Sequence, residues 1–192
     1  MNSHNLQLHL GVKTDPIQYR YSYAWLFRLM AEEGVEHAQL GTFFEIYQLP
    51  DEFFHRLRRQ ADDFGIKISS IFTAHRELGG FFREEPGFVH VARKNFARLI
   101  QIGSLVGADS VGCNPGAILR DRMGTKSNGL DNYLEAMKDL MAYARQHGVR
   151  VVGIEPMSCL AEPPTLPEEI REMGETLMTH HRENPRSTSK VG

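Results

Sequence analysis

Residues 147–156 read His-Gly-Val-Arg-Val-Val-Gly-Ile-Glu-Pro, and this stretch decides the fold. The run from Val149 to Ile154 is almost entirely apolar, which is typical of a strand buried on both faces of a parallel sheet. Gly148 precedes the run, and Glu155 with Pro156 closes it. The pattern predicts a buried strand that carries a carboxylate to its carboxyl end. That edge of the sheet is where α/β proteins place their chemistry.

The same module occurs three times earlier in the chain. In each case a glycine precedes an apolar strand, and the glycines lie at positions 34, 65, 107 and 148. A helix often ends in a left-handed residue, a conformation that glycine adopts without strain. We therefore predict that every unit ends its helix in the same way, and that the strands are Val35–Leu40, Ile66–Phe72, Ala108–Cys113 and Val149–Glu155.

Apolar residues between these strands recur at helical spacing. Asp51 and Pro86 are helix start signals, and Thr165 with Glu168 fits a capping box. The first unit is predicted as a strand over Leu6–Val12 followed by a helix through Trp25, Phe27 and Met30. The inward faces of the later helices are Phe53, Leu57, Ala61 and Phe64; Val89, Ala92, Phe96, Leu99, Ile100 and Val106; Leu130, Tyr133, Met137, Leu140 and Ala144; and Ile170, Met173 and Leu177.

Five successive strand–helix units require a parallel sheet covered by helices. An open doubly wound sheet and a (β/α)8 barrel both fit. The first strand–helix turn, from Gly11 to Asp15, lacks the Gly-x-Gly-x-x-Gly of dinucleotide-binding sheets, so the barrel is favoured. A closed barrel needs about eight strands and roughly 250 residues. We predict a single α/β domain over residues 1–192, a parallel TIM barrel that is incomplete, with the polar tail 180–192 leading to an absent sixth strand.

Composition narrows the functional classes. Hydrophobic residues make up 41% and charged residues 24%, which is ordinary for a globular chain, and the net charge of -2 gives no electrostatic case for nucleic acid or an anionic membrane. Two cysteines make no disulfide framework, and no apolar run approaches the roughly 18 residues of a membrane span. The polar start Met1–Gln7 does not read as a signal peptide. We expect a cytoplasmic protein without nucleic-acid or membrane partners, and a homo-oligomer is left open.

Glu155 and His75 are the candidate catalytic residues, because each follows the carboxyl end of a predicted strand. Glu155 is a hard oxygen ligand for Mn²⁺ or Mg²⁺ and a base for a proton beside a carbonyl, or else a solvated residue at a strand end. His75 polarises a substrate oxygen or is a loop histidine bonded to backbone. Leu78–Phe82 is interpreted either as a mobile lid or as a tight turn with a buried aromatic pair.

Four further polar residues at the same edge are candidate substrate-binding groups. Lys13 suits a phosphate or carboxylate, although an exposed loop lysine is commoner. Gln39 and Asn114 suit sugar hydroxyls or barrel-rim packing, and Ser158 follows Glu155 closely. Because the carboxyl ends of barrel strands converge on one pocket, these side chains are expected to lie together.

With these features the chain resembles the sugar phosphate isomerase/epimerase family of xylose-isomerase-like (β/α)8 barrels. The match rests on Gly153-Ile-Glu-Pro156, on the glycine-initiated strands and on Phe72-Thr-Ala-His75. Family members usually hold one divalent metal with a Glu after strand five, an Asp after strand six, a His at strand seven and a Glu at strand eight. Only the first position carries over, to Glu155, and the other three would lie beyond Gly192. The resemblance implies Mn²⁺ or Mg²⁺, with Zn²⁺ less favoured, but one carboxylate cannot hold such an ion tightly.

The resemblance implies a sugar or sugar-phosphate isomerase or epimerase. Its reaction is metal-assisted proton abstraction beside a carbonyl through an enediolate, with Glu155 as metal ligand and base and His75 assisting. The chain would be either a partial product of an active enzyme or an inactive shortened barrel that binds a small molecule or a partner. A lyase or dehydratase uses the same parts, and a zinc-dependent endonuclease of this fold is disfavoured by the net charge of -2.

Overall fold

The computed structural model describes residues 8–17, 19–41, 48–74 and 80–192. Strands and helices alternate along this part of the chain, and two short 3-10 turns lie at Gly80–Phe82 and Arg120–Thr125. The order is β1 (Gly11–Lys13), α1 (Tyr23–Glu32), β2 (His37–Gly41), α2 (Asp51–Asp63), β3 (Lys67–Ala74), α3 (Pro86–Val106), β4 (Ser110–Asn114), α4 (Lys126–Gln146), β5 (Val151–Ile154), α5 (Pro167–Glu183) and β6 (Lys190–Val191).

The six strands form one parallel sheet in the order β1-β2-β3-β4-β5-β6. Each strand therefore pairs with the strand that follows it in sequence. A doubly wound sheet would reverse its strand order at a switch point, whereas a barrel winds continuously in one direction. The observed order confirms the predicted α/β fold, an incomplete parallel barrel whose edges are β1 and β6.

Both edge strands differ from the sequence prediction. The first strand was predicted over Leu6–Val12, but β1 begins at Gly11, and Leu8 and Leu10 before it are 85% and 74% exposed. An edge strand has one pairing neighbour, so it is regular only where β2 lies opposite it. At the other edge a sixth strand was expected to be absent, yet Lys190–Val191 already pairs in parallel with β5. The residues from His180 to Glu183, which the prediction placed in the tail, belong to α5.

The four glycines predicted to end helices do so. Gly34, Gly65, Gly107 and Gly148 all adopt positive φ between 70° and 76° within two residues of the ends of α1, α2, α3 and α4. In this conformation the backbone turns and returns N–H groups to the last carbonyls of the helix. Each β strand then starts two or three residues later.

Most residues of the predicted helix faces are buried in the core, while Phe64, Val89 and Leu130 pack against it partly buried. On α2 the buried residues are Phe54, Leu57 and Ala61, while Phe53 is only partly buried against them. On α5 Met173 and Leu177 are buried, but Ile170 is 40% exposed because α5 covers the edge of the sheet. The core is one connected cluster that runs from Leu26 in α1 to Leu177 in α5.

The start of α5 also corrects the predicted capping box. The carboxylate that accepts the backbone N–H groups of Thr165 (2.9 Å) and Leu166 (3.3 Å) is Glu169, not Glu168. Glu169 also pairs with Lys126 at the start of α4. The Glu169 side chain is only 14% exposed, so it lies between the two helices.

Within the described residues, no helix combines the length and apolar character needed to cross a membrane.

Candidate active site on the concave face of the sheet

A cavity of about 470 Å³ lies on the face of the sheet opposite the helices. Residues from β1 to β5 all line it, which shows that the sheet curves around this space. Its polar lining residues include Lys13, Gln39, Ser70 and Glu155, and Phe72 contributes an aromatic side chain. The cavity therefore joins side chains from opposite ends of the sequence.

Glu155 reaches the cavity because it continues β5 by one residue. Its backbone N–H donates to the carbonyl of Cys113 on β4 at 3.2 Å, and Pro156 then ends the pairing. The side chain is half-buried and lines the cavity. Its carboxylate has no hydrogen-bond or ion-pair partner among the described residues. An unpaired carboxylate in a cavity is free to act on a ligand.

Cys113 lies close enough to Glu155 for the carboxylate to affect its thiol. Burial raises the pKa of the Cys113 thiol well above its ordinary value, and the negative charge of Glu155 raises it further. Cys113 is fully buried, as expected for a small residue that fills the core. The thiol therefore stays protonated at neutral pH, and Cys113 contributes an uncharged side chain to the core next to Glu155.

Lys13 is held at the β1 side of the cavity by two interactions. Its ammonium lies 2.9 Å from the Asp15 carboxylate and 5.3 Å from the centroid of the Phe72 ring. Asp15 in turn packs against Gly41, where an added Cβ would lie only 1.4 Å from Asp15 Oδ1. Gly41 is therefore what allows Asp15, and through it Lys13, to occupy this position.

Gln39 forms the β2 side of the cavity, and its Nε2 donates to Ser70 Oγ at 3.0 Å. A register shift next to Gln39, where Ala38 pairs with Ile68 but Gln39 pairs with Ser70, brings these two side chains together. Gly112 and Gly153 are paired across β4 and β5 and also line the cavity. Having no side chains, they leave its floor open.

The remaining predicted site residues fall elsewhere. Asn114 ends β4, is 1% exposed and donates to Met157 Sδ at 3.9 Å, while Ser158 is exposed in the loop after β5. Neither lines the cavity. His75 lies outside the described residues, as do Leu78 and Gly79 of the proposed lid. The described part of that segment, Gly80–Phe82, is a 3-10 turn with both phenylalanines buried, which agrees with the aromatic-turn interpretation.

The described residues do not form a site for a divalent catalytic metal. Among them, no group of three or more His, Cys, Asp or Glu side chains is placed to hold an ion. Glu155 alone supplies one carboxylate, whereas Mn²⁺ or Mg²⁺ sites draw on several oxygen ligands. The donor set at Glu155 therefore does not fit the metal that the family resemblance implies.

Ser70 and Phe72 are lining residues that the sequence analysis missed as site residues. Both lie within β3, on the face opposite the buried Ile71 and Thr73. The signal was the two-residue alternation of a strand, which puts residues 70 and 72 on one face. That alternation is visible in the sequence, but which face encloses a cavity is not.

The chain has the α/β fold of solved xylose isomerase-like barrels. It is similar to a candidate xylose isomerase from Rhodospirillum rubrum, with a TM-score of 0.82 at 17% identity over 96% of this chain and 64% of that chain. A D-psicose 3-epimerase solved with D-fructose gives a TM-score of 0.73 at 13% identity, covering 96% and 62% of the two chains.

A third structure, D-psicose 3-epimerase from Clostridium cellulolyticum with D-tagatose, gives a TM-score of 0.67 at 11% identity over 96% of this chain and 84% of that chain. The chain spans less than two thirds of the length of the first two structures. No protein-family model and no curated protein matches the sequence. The likeness to solved structures confirms the predicted fold.

Proposed function

We propose that the chain is the part of a sugar or sugar-phosphate isomerase or epimerase barrel that carries one acid–base residue, Glu155. The observation that carries this proposal is the Glu155 carboxylate, which lines the concave cavity and has no hydrogen-bond or ion-pair partner in the described part of the chain. Solved proteins of the same fold include a D-psicose 3-epimerase with D-fructose and one with D-tagatose.

In this proposal Glu155 removes the proton from the carbon beside the sugar carbonyl, which gives an enediolate. General base catalysis by a positioned carboxylate contributes roughly 10²- to 10⁴-fold to such a step. Gln39 and Ser70 bind sugar hydroxyls, since their amide and hydroxyl groups face the cavity. Lys13 binds a phosphate or carboxylate of the substrate. This requires the ion pair between Lys13 and Asp15 to weaken when the substrate binds.

A divalent metal enters no step of this mechanism, because the described residues offer Glu155 as a single ligand. Asn114 is a positioning residue for the loop after β5 through Met157 rather than a direct contact to substrate. Roles for Ser158 and His75 stay predictions from the sequence.

The test is proton exchange at the substrate carbon. The chain is incubated in D₂O with a panel of ketoses and ketose phosphates, with and without added Mn²⁺, and loss of the proton signal beside the carbonyl is followed by NMR. We expect exchange that falls by about 10² or more in Glu155→Gln. Glu168→Gln changes an exposed carboxylate on α5 and is expected to keep wild-type exchange. A panel that shows no exchange contradicts the enzymatic proposal.

A sugar-binding fragment without catalysis is the second candidate function. It is favoured by the same fact that weakens the first, namely that the described residues supply one carboxylate in the cavity and no second acid–base group beside it. Binding of ketoses that is weakened by Gln39→Ala, combined with no proton exchange, would identify this function.

A further inference from the structure

His9 and His37 lie together on the concave side of the sheet, at the amino ends of β1 and β2. Their ring centroids are 4.6 Å apart and the ring planes are inclined at 66°. This end of the strands is opposite to the carboxyl edge that carries Glu155. The proposed function uses neither histidine.

The distance between the rings suits two ligands of one metal ion. Imidazole nitrogens bind Zn²⁺ at about 2.0–2.1 Å, so two rings on one ion at an angle between right-angled and tetrahedral have centroids roughly 4.5–5.2 Å apart. The observed separation lies at the short end of that range. The His9 side chain is exposed, so its ring has room to turn towards an ion shared with His37.

Ser69 is placed to orient the His37 ring for a metal. Its Oγ lies 2.6 Å from His37 Nδ1 and 3.5 Å from the Lys67 carbonyl oxygen, so a hydroxyl hydrogen directed at that carbonyl leaves Oγ to accept from Nδ1–H. A proton on Nδ1 leaves the lone pair on Nε2, the second ring nitrogen. Hydrogen bonds of this kind commonly orient metal-binding histidines and raise their affinity.

The local backbone and charges leave the pair open to a cation. Gly11 is paired with His37 in the sheet, and a Cβ there would lie 3.1 Å from the His37 carbonyl oxygen and 3.5 Å from its Cβ, so glycine avoids a close contact at the base of the His37 side chain. Lys67 is the nearest cationic residue in register, and its ammonium is neutralised by Asp109 at 2.5 Å.

We propose that His9 and His37 bind one transition-metal ion of the Zn²⁺, Ni²⁺ or Cu²⁺ type, with water in the remaining coordination positions. Two neutral imidazoles favour these ions over Mg²⁺ or Mn²⁺, which prefer oxygen ligands. The ion joins the segment before β1 to β2. It therefore stabilises the short edge strand, since any ligand that binds only the folded chain shifts the folding equilibrium.

The experiment is a calorimetric titration of the full chain with Zn²⁺ and Ni²⁺. Wild-type protein is expected to bind one equivalent, and His9→Ala or His37→Ala is expected to weaken binding at least about tenfold. Ser69→Ala should weaken it by about 10- to 100-fold, the usual effect of losing a partner that orients a metal-bound histidine. The matched control is His90→Ala, which changes an exposed histidine on α3. Wild-type protein that binds no equivalent, or equal loss in His90→Ala, overturns the proposal.

Chemical labelling gives a readout that needs no variant to fold. Diethyl pyrocarbonate modifies accessible histidines, and modification at each site of the wild-type chain is measured by mass spectrometry with and without Zn²⁺. Protection of His9 and His37 but not of His90 supports the pair as ligands. Labelling of His9 and His37 that Zn²⁺ leaves unchanged overturns it. Neither outcome depends on sugar exchange, so this site and the proposed function stand or fall separately.

Discussion

Glu169 is the residue on which the start of α5 depends. It accepts hydrogen bonds from two backbone N–H groups at the helix entrance and pairs with Lys126 of α4. Burial raises the pKa of its carboxyl, but the Lys126 and backbone hydrogen bonds outweigh burial and hold the pKa below the ordinary value of 4.5. One side chain thus caps α5 and ties it to the neighbouring helix.

We expect Glu169→Gln to lower the free energy of unfolding by about 1–3 kcal/mol at neutral pH, because hydrogen bonds to a charged group are lost. The folded-state pKa is depressed, so this contribution is present above about pH 4.5 and is lost as the pH falls through the folded-state pKa. Urea denaturation at several pH values tests both points.

The control for this substitution is Glu168→Gln, which changes the exposed carboxylate of the preceding residue. It should alter the free energy of unfolding by less than about 0.5 kcal/mol. Equal effects of the two substitutions would show that the structure assigns the cap to the wrong glutamate.

The two cysteines should react differently with thiol reagents. Cys113 is buried and burial raises its pKa, whereas Cys159 is partly exposed. Since the thiolate is the reactive form, native protein is expected to consume one equivalent of a disulfide reagent and denatured protein two. Cys159→Ser should abolish the native reaction, and rapid labelling of Cys113 in the folded protein would contradict the burial of that thiol.

At the scale of elements, two glycines inside helices have opposite surroundings. An added Cβ at Gly129 of α4 would lie 2.1 Å from Cδ1 of the buried Phe82 ring. At Gly174 of α5 it would meet nothing within 4 Å. Gly129 is therefore required by the contact between α4 and the Gly80–Phe82 turn, while Gly174 only weakens its own helix.

Gly129→Ala is expected to destabilise the fold by about 1–3 kcal/mol through overpacking. Gly174→Ala is expected to stabilise it by roughly 0.5–1 kcal/mol, because alanine favours the helix and meets no neighbour. Thermal or urea denaturation of the pair provides the measurement. Stabilisation by both substitutions would mean that the turn does not pack against α4 as described.

At the scale of the whole molecule, every helix contributes to one continuous core. Trp25, the single tryptophan, lies in α1, which follows edge strand β1, while α4 and α5 contact β5 and β6 towards the opposite edge of the sheet. A shared core favours cooperative unfolding. We expect tryptophan fluorescence and far-UV circular dichroism to report the same urea midpoint. A fluorescence transition at clearly lower urea would show that α1 unfolds as a separate unit.

The local parts of the fold could be predicted from the sequence because local chemistry specifies them. Glycines at positions 34, 65, 107 and 148 end helices through their own backbone freedom, and apolar runs form buried strands. The predictions that Phe53 and Ile170 are buried and that Glu168 caps α5 were wrong, because each depends on how a helix is rotated or positioned against its neighbours. Periodicity places such residues only to within one position.

The sequence by itself determined the strand–helix order and put Glu155 at the end of a strand, since both follow from hydrophobic pattern and chain stiffness. Only the tertiary structure decided which of the predicted polar residues line the cavity, leaving out Asn114 and Ser158, and that a register shift brings Gln39 to Ser70. Curvature and register arise from packing between residues far apart in the chain. No local pattern encodes such contacts, and they become fixed only when the strands pair and the core closes behind them.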